Sequence, residues 1–328
     1  MSETGAVDGV ERRGAVGRGA GARAAAPRAA PEAGAPGHGP EAAAGGEPAL
    51  GAGVDRWIRS FLLLHVGLVA ASVLAFWVVV GRPAPAIIPR DIYNLAYDLG
   101  LGWTGVLYIA AGFVVALLAW LRAVPLRAGL AGAGVVVLLG LASELLGTHT
   151  GVPFGPYSYT TLLGPKILGL VPVVIPLSWF LMLYASLGVA ARLRAGPVAT
   201  AGAATLGLVA WDVLMDPAMS AVFPFWQWHV EGVFYGMPLV NWVGWAVTGL
   251  AMAAAIMAVA GRWIPRLARQ RVPVVLYGVN GLLPLALLLR DGLWGAAVLG
   301  TLAMAAYLAL PLWAGGRRRG GSPAPRGS

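Results

Sequence analysis

The 328-residue chain is 58% hydrophobic and only 11% charged, with a mean hydropathy of +0.74, which excludes an ordinary soluble enzyme and indicates a polytopic membrane protein. It has no cysteine, which excludes disulfides, thiolate nucleophiles and cysteine-ligated iron–sulfur clusters. Its net charge of +9 resides in tails and short loops without any nucleic-acid motif, so no nucleic-acid partner is expected.

Residues 1–54 are rich in Ala, Gly, Pro and Arg and nearly devoid of large apolar side chains. Such a segment cannot bury enough surface to offset its ordering entropy, so a disordered tail is expected. It has no continuous apolar stretch of the kind a signal peptide carries. The region 55–314 reads as a transmembrane domain with eight apolar segments: 57–80, 102–121, 127–147, 169–191, 197–216, 238–260, 273–289 and 293–313. This predicts an all-α membrane bundle with both termini cytoplasmic. The seventh span is short, and Asp216-Pro217 is expected to break the fifth near its end. A basic, disordered tail over 315–328 follows.

With that topology, all 23 Lys and Arg residues except Arg82, Arg90, Lys166 and Arg290 fall on the cytoplasmic side. This is a strong positive-inside bias, suited to a bacterial cytoplasmic membrane. It places the loops 148–168 and 217–237 on the opposite face. The 81–101 segment, with Asp91, Tyr93, Asn94, Tyr97 and Asp98, joins them there. The expected result is one polar, aromatic-rich cap over the bundle.

From position 91 onward the only acids are Asp91, Asp98, Glu144, Asp212, Asp216, Glu231 and Asp291. A carboxylate inside a membrane helix costs about 2.5–3.5 kcal/mol on insertion scales, so intramembrane acids tend to face cavities and act there. Three segments qualify. Glu144 lies within the last turn of span three, ahead of Gly147, His149, Gly151, Pro153, Gly155, Tyr157 and Tyr159; His149 is an acid/base candidate near neutral pH. Asp212 and Asp216 are spaced i, i+4 and share one helix face. Two carboxyls in one low-dielectric site cannot both ionise cheaply, so one is expected to keep its proton and serve as a donor. The third segment interleaves Trp226, Trp228, Tyr235 and Trp242 with His229, Glu231 and Asn241. Aromatic faces there suit a cation, although a membrane-interface belt of rings is the competing reading.

Four histidines are too few for a histidine-rich di-iron oxygenase. His149 and His229 with nearby acids leave a single-metal site open as an alternative. Asp212-x-x-x-Asp216 has the look of one aspartate motif of membrane prenyltransferases, but the second acid-rich motif that would complete a Mg²⁺–diphosphate site is absent. No P-loop, Rossmann or nucleophile-elbow motif appears.

Over about residues 90–260 the chain resembles the membrane-integral carotenoid biosynthesis proteins, which include carotenoid 1′,2′-hydratases and C50-carotenoid hydratases. The resembling residues are Glu144-x-x-Gly147-x-x-Thr150-Gly151-x-Pro153-Phe154-Gly155-x-Tyr157-x-Tyr159, Leu163-Gly164-x-Lys166 and Val171-Pro172-x-x-Ile175-Pro176-Leu177-x-Trp179. They continue with Asp212-x-x-x-Asp216-Pro217-x-Met219, Trp226-x-Trp228 and Gly232-x-x-Tyr235-Gly236-x-Pro238-x-x-Asn241-x-x-Gly244-Trp245. The resemblance implies hydration of the acyclic ψ end group of a membrane-embedded carotenoid of the lycopene or γ-carotene type. It implies no cofactor and no metal, and allows other carotenoid-pathway enzymes as partners.

Hydration of that kind needs an acid, a face that stabilises a carbocation and a delivered water. Asp212 or Asp216 fits the acid. Trp226, Trp228, Tyr235 or Tyr157 fits the cation face, and Glu144, His149 or Asn241 fits the water. Tyr159 and Glu231 complete the expected substrate wall. Cyclisation of the end group, a proton-coupled carrier and a non-catalytic carotenoid binder stand as alternatives. The carrier should show matched broken helices in two halves, and no internal repeat is apparent.

Overall fold

The computed structural model describes residues 51, 53–83 and 87–320. The predicted N-terminal tail therefore lies almost wholly outside the described residues, as does the end of the C-terminal tail.

Among the described residues, eight helices are long and apolar enough to cross a membrane. In chain order they are α1 (Val54–Val78), α2 (Arg90–Ala123), α3 (Leu126–Thr150), α4 (Val174–Ala190), α5 (Pro197–Pro217), α6 (Val240–Ala260), α7 (Val272–Arg290) and α8 (Trp294–Gly320). The expected spans coincide with them, shifted by a few residues. Helix α4 is apolar all round and buried along nearly its whole length, the pattern of a central helix. It packs against α2, α3, α5 and α7, while α1 lies on α2 and α7, α8 on α5 and α7, and α6 on α5 and α3.

Small residues set the close approaches. The buried stripe of α3 is Gly129, Gly132, Ala133, Val136, Gly140, Glu144 and Gly147, spaced three or four apart and so on one face. A Cβ at Gly140 would stand 3.2 Å from the Trp179 ring of α4. Glycine thus lets the helices close, as in small-residue packing within membranes. The same stripe carries Glu144 to the α3–α4 seam. Buried hydroxyl and indole groups find backbone carbonyls: Tyr277 bonds Gly207 at 2.7 Å, Tyr307 bonds Ser186 at 2.7 Å and Trp120 bonds Gly129 at 2.8 Å. No water is available at membrane depth to do so.

The structure differs from the sequence-based expectation in three places. Helix α2 begins at Arg90, so Asp91 and Asp98 are exposed on an extension of the helix rather than in a loop. Helix α5 is not broken at Asp216-Pro217. It runs through the proline and widens into a π turn over Ala218–Val222, where the Phe223 N–H reaches the Ala218 carbonyl at 3.0 Å. Such widening absorbs the hydrogen bond that a proline cannot make. The bundle also carries four short strands at one end: β1 (Tyr157–Tyr159), β2 (Lys166–Ile167), β3 (Val171–Pro172) and β4 (Trp226–Trp228). β1 pairs antiparallel with β4, and β2 with β3.

Candidate active site

The β1–β4 ribbon joins the loop after α3 to the loop after α5, with Tyr157 opposite Trp228 and Tyr159 opposite Trp226. Alternate residues of a strand face opposite ways. Ser158 and Gln227 are accordingly exposed, while Tyr157, Tyr159 and Trp226 are buried and Trp228 is half-buried. The four rings roof a cavity of about 80 Å³ between the helices. Trp179, Trp211 and Trp245 wall it lower down; Trp179 and Trp245 lie 4.1 Å apart, and Trp211 meets Trp245 edge-on at 5.8 Å.

Two carboxyl centres meet this cavity. Glu144 is buried and held on both oxygens. Its Oε2 accepts the Tyr157 hydroxyl and the Tyr159 hydroxyl, the latter at 2.8 Å, and its Oε1 accepts the Trp179 indole N–H at 2.9 Å. Burial, and next the Glu144 carboxylate, push both tyrosine hydroxyls well above the ordinary phenol range. Both therefore stay donors.

The second centre is the pair on α5. Asn241 of α6 donates its amide to Asp212 Oδ2 at 3.0 Å and to Asp216 Oδ2 at 3.3 Å. Asp216 Oδ1 also accepts the Trp228 indole N–H at 3.2 Å and the Ser220 hydroxyl at 3.1 Å. Asp216 and Asn241 line the cavity. Asp212 is fully buried behind them, and its Oδ1 has no hydrogen-bond partner. Among the described residues, the wall of the cavity includes no Lys or Arg.

Of the residues expected from sequence, Glu144, Tyr157, Tyr159, Asp216, Trp226, Trp228 and Asn241 line one cavity, and Asp212 stands directly behind it. Three do not join them. His149 is exposed, because α3 continues to Thr150 and five positions turn His149 by about 140° from Glu144. Glu231 is exposed, in a turn closed on itself by the Gly232–Gly236 and Phe234–Met237 bridges. Tyr235 projects from that turn toward α8, where a Cβ at Gly295 would meet its hydroxyl at 2.3 Å. The other imidazole of the metal alternative, His229, is exposed and bonds Ser158 at 2.9 Å. Among the described residues no three His, Asp or Glu side chains converge as metal ligands.

Sequence reasoning also passed over wall residues. Trp179 and Trp245 belong to the resembling motifs but were given no role. Asn280, a polar residue inside an apolar span, carried the signal that marks functional positions in membrane helices. It lines the cavity and donates to Leu276 O at 2.8 Å, with its amide nitrogen 3.3 Å from Nε2 of the buried His65.

A curated relative, the bisanhydrobacterioruberin hydratase of Haloarcula japonica, is 38% identical over 127 residues, covering 38% of this chain and 42% of that protein. The shared stretch is thus less than half of the relative. No solved structure matches. A sequence model described as carotenoid biosynthesis protein matches residues 104–307, a range that holds every residue lining the cavity. The chain belongs to the carotenoid biosynthesis protein family.

Proposed function

We propose that this chain is a membrane carotenoid hydratase that adds water across the terminal C=C of an acyclic ψ end group. The observation that carries this reading is the position of Asp216. It is a buried carboxyl at the wall of a small cavity, paired with Asp212 through one amide and surrounded by indole and phenol rings.

The steps follow from that arrangement. Asp216 gives its proton to the CH carbon of the terminal alkene, which leaves a tertiary carbocation. The faces of Trp226, Trp228 and Tyr157 carry negative quadrupole toward that charge. Glu144, held by three donors, keeps two of the roof rings in place. Water adds to the cation and loses its extra proton to the Asp216–Asp212 pair, which leaves the cycle as it entered. Asn241 fixes the pair and stands where it can orient the water. The reaction is redox-neutral, so the proposed chemistry calls for no redox cofactor. General acid assistance of this kind is worth about 10²–10⁴-fold.

The hydratase name of the Haloarcula japonica relative supports the reaction class. The positive-inside bias supports a cavity opening toward the non-cytoplasmic side, where water is at hand. The test is expression in a bacterium that accumulates lycopene or γ-carotene, followed by pigment mass spectrometry. A product heavier by one water supports hydration. An unchanged mass with a shifted spectrum would replace it with cyclisation.

A further inference from the structure

A second cavity of about 450 Å³ lies between α1, α2, α7 and the Phe223–Phe225 segment that follows the π turn. It shares the Tyr108 and Phe225 walls with the cavity that holds Asp216. The two spaces differ in chemistry. The wall of the second is mostly aliphatic and aromatic, as at Phe76, Val79 and Leu283. Two of its polar groups are already committed: the Ser72 hydroxyl bonds Leu68 O at 2.7 Å, and the Tyr93 hydroxyl bonds Val79 O at 2.9 Å. Such a wall offers water little and suits an apolar occupant. At its outer margin Val78, at the end of α1, is 58% exposed, and Ile88 and Ile92, 39% and 60% exposed, flank the opening from the segment that leads into α2 and from its first turn.

We infer that this second cavity is the berth of the substrate's polyene chain and its lateral entrance from the bilayer, with Tyr108 and Phe225 at the threshold of the reaction cavity. The inference rests on the hydratase reading for the identity of the occupant. Size carries the argument. A water needs about 10–15 Å³ of such volume, so 80 Å³ holds an end group and a water but not a conjugated chain. That chain is a stiff rod comparable to the roughly 30 Å hydrocarbon core and cannot fold up inside the reaction cavity. It must leave through an apolar opening, and the adjoining cavity is several times larger, apolar and open beside Val78 at the end of α1.

Gly105 stands at the junction. A Cβ there would lie 3.2 Å from Leu163 Cδ2 and 3.5 Å from the Phe225 ring, and both of those residues line the reaction cavity. Alanine meets only the movable end of Leu163, whereas a longer side chain fills the passage.

The experiment pairs turnover with capture. Gly105→Ala and Gly105→Leu are supplied with lycopene and, separately, with a monoterpene alcohol bearing the same terminal alkene. The expected result is that Gly105→Leu loses hydration of lycopene but keeps that of the short substrate, while Gly105→Ala, which adds one methyl group, lowers lycopene hydration less than Gly105→Leu does. Equal activity of Gly105→Leu on both substrates would overturn the inference. Independently, a benzophenone amino acid is placed at Ile92, or at the exposed Leu302 of α8 as control, in membranes containing lycopene. Polyene adducts at Ile92 in excess of those at Leu302 support the berth even if no water is gained, an outcome that would remove only the hydratase reading. Equal labelling at both positions would overturn the berth, whatever the turnover.

Discussion

Tyr157 and Trp228 stand opposite each other across the β1–β4 ribbon, rings 5.3 Å apart, and each serves a different acid: Tyr157 donates to Glu144 and Trp228 to Asp216. One cross-strand pair therefore sets the separation of the two carboxyl centres. It also holds two aromatic faces over the space between them. Helices alone could not do this, because α3 and α5 reach the site from separate parts of the bundle.

Asp216→Asn should lower hydration by about 10²–10⁴-fold, the usual worth of general acid assistance. Asp212→Asn should cost less, because Asp212 stands behind the cavity wall and acts through Asn241 and Asp216. Product yield per unit of membrane-inserted protein measures both. A larger loss at Asp212→Asn than at Asp216→Asn would instead make Asp212 the donor.

Glu144→Gln replaces an acceptor pair that serves three donors with a group that accepts at one atom only. Its NH₂ must then face a tyrosine hydroxyl or the Trp179 indole N–H. Leaving a buried donor unsatisfied costs about 1–3 kcal/mol. Thermal melts in detergent should show the loss, and Glu144→Gln combined with Trp179→Phe should recover part of it.

Alkali should destabilise the fold through the roof. Burial and the Glu144 carboxylate raise the tyrosine values in the folded state above the ordinary 10.0. Below that pH folded and unfolded chains both keep these protons. Above it the unfolded chain releases them while the folded one holds on, so stability falls as pH rises. Melting temperature followed from about pH 9 to about pH 11 should drop, and less steeply in Tyr157→Phe/Tyr159→Phe.

The chain has no cysteine, so single-thiol variants need no background removal. Gln227→Cys, on the exposed face of β4, should react with a membrane-impermeant maleimide in intact cells. Ala195→Cys, between α4 and α5, should react only after lysis. The reverse pattern would turn the bundle over and place the cavity toward the cytoplasm.

Helices were legible because apolar runs of bilayer length report themselves directly. The acids were legible because charge is rare and costly at that depth, and Glu144, Asp212 and Asp216 all came to one place. Tyr157-Ser158-Tyr159 and Trp226-Gln227-Trp228 alternate with the period of a strand, yet three residues are too few to distinguish a strand from an interfacial belt of rings. His149 turns away from Glu144 because α3 continues past Gly147 to the left-handed turn at Gly151. The polarity of Asn280 was readable within its apolar span, but its approach to His65 and the shared threshold at Tyr108 depend on contacts between distant helices, which local sequence does not encode.

The pairing of β1 with β4 has a consequence for biogenesis. Two membrane crossings, α4 and α5, are synthesised between the strands. During insertion Glu144 reaches the bilayer with its two tyrosine donors but without the partner strand that fixes their positions. The roof closes only when Trp228 has emerged, and the Asp212–Asp216 pair gains its amide donor only when α6 follows. Chains stalled before that point should insert fully and still be inactive, so assembly of the site is a late and separable event in the making of this protein.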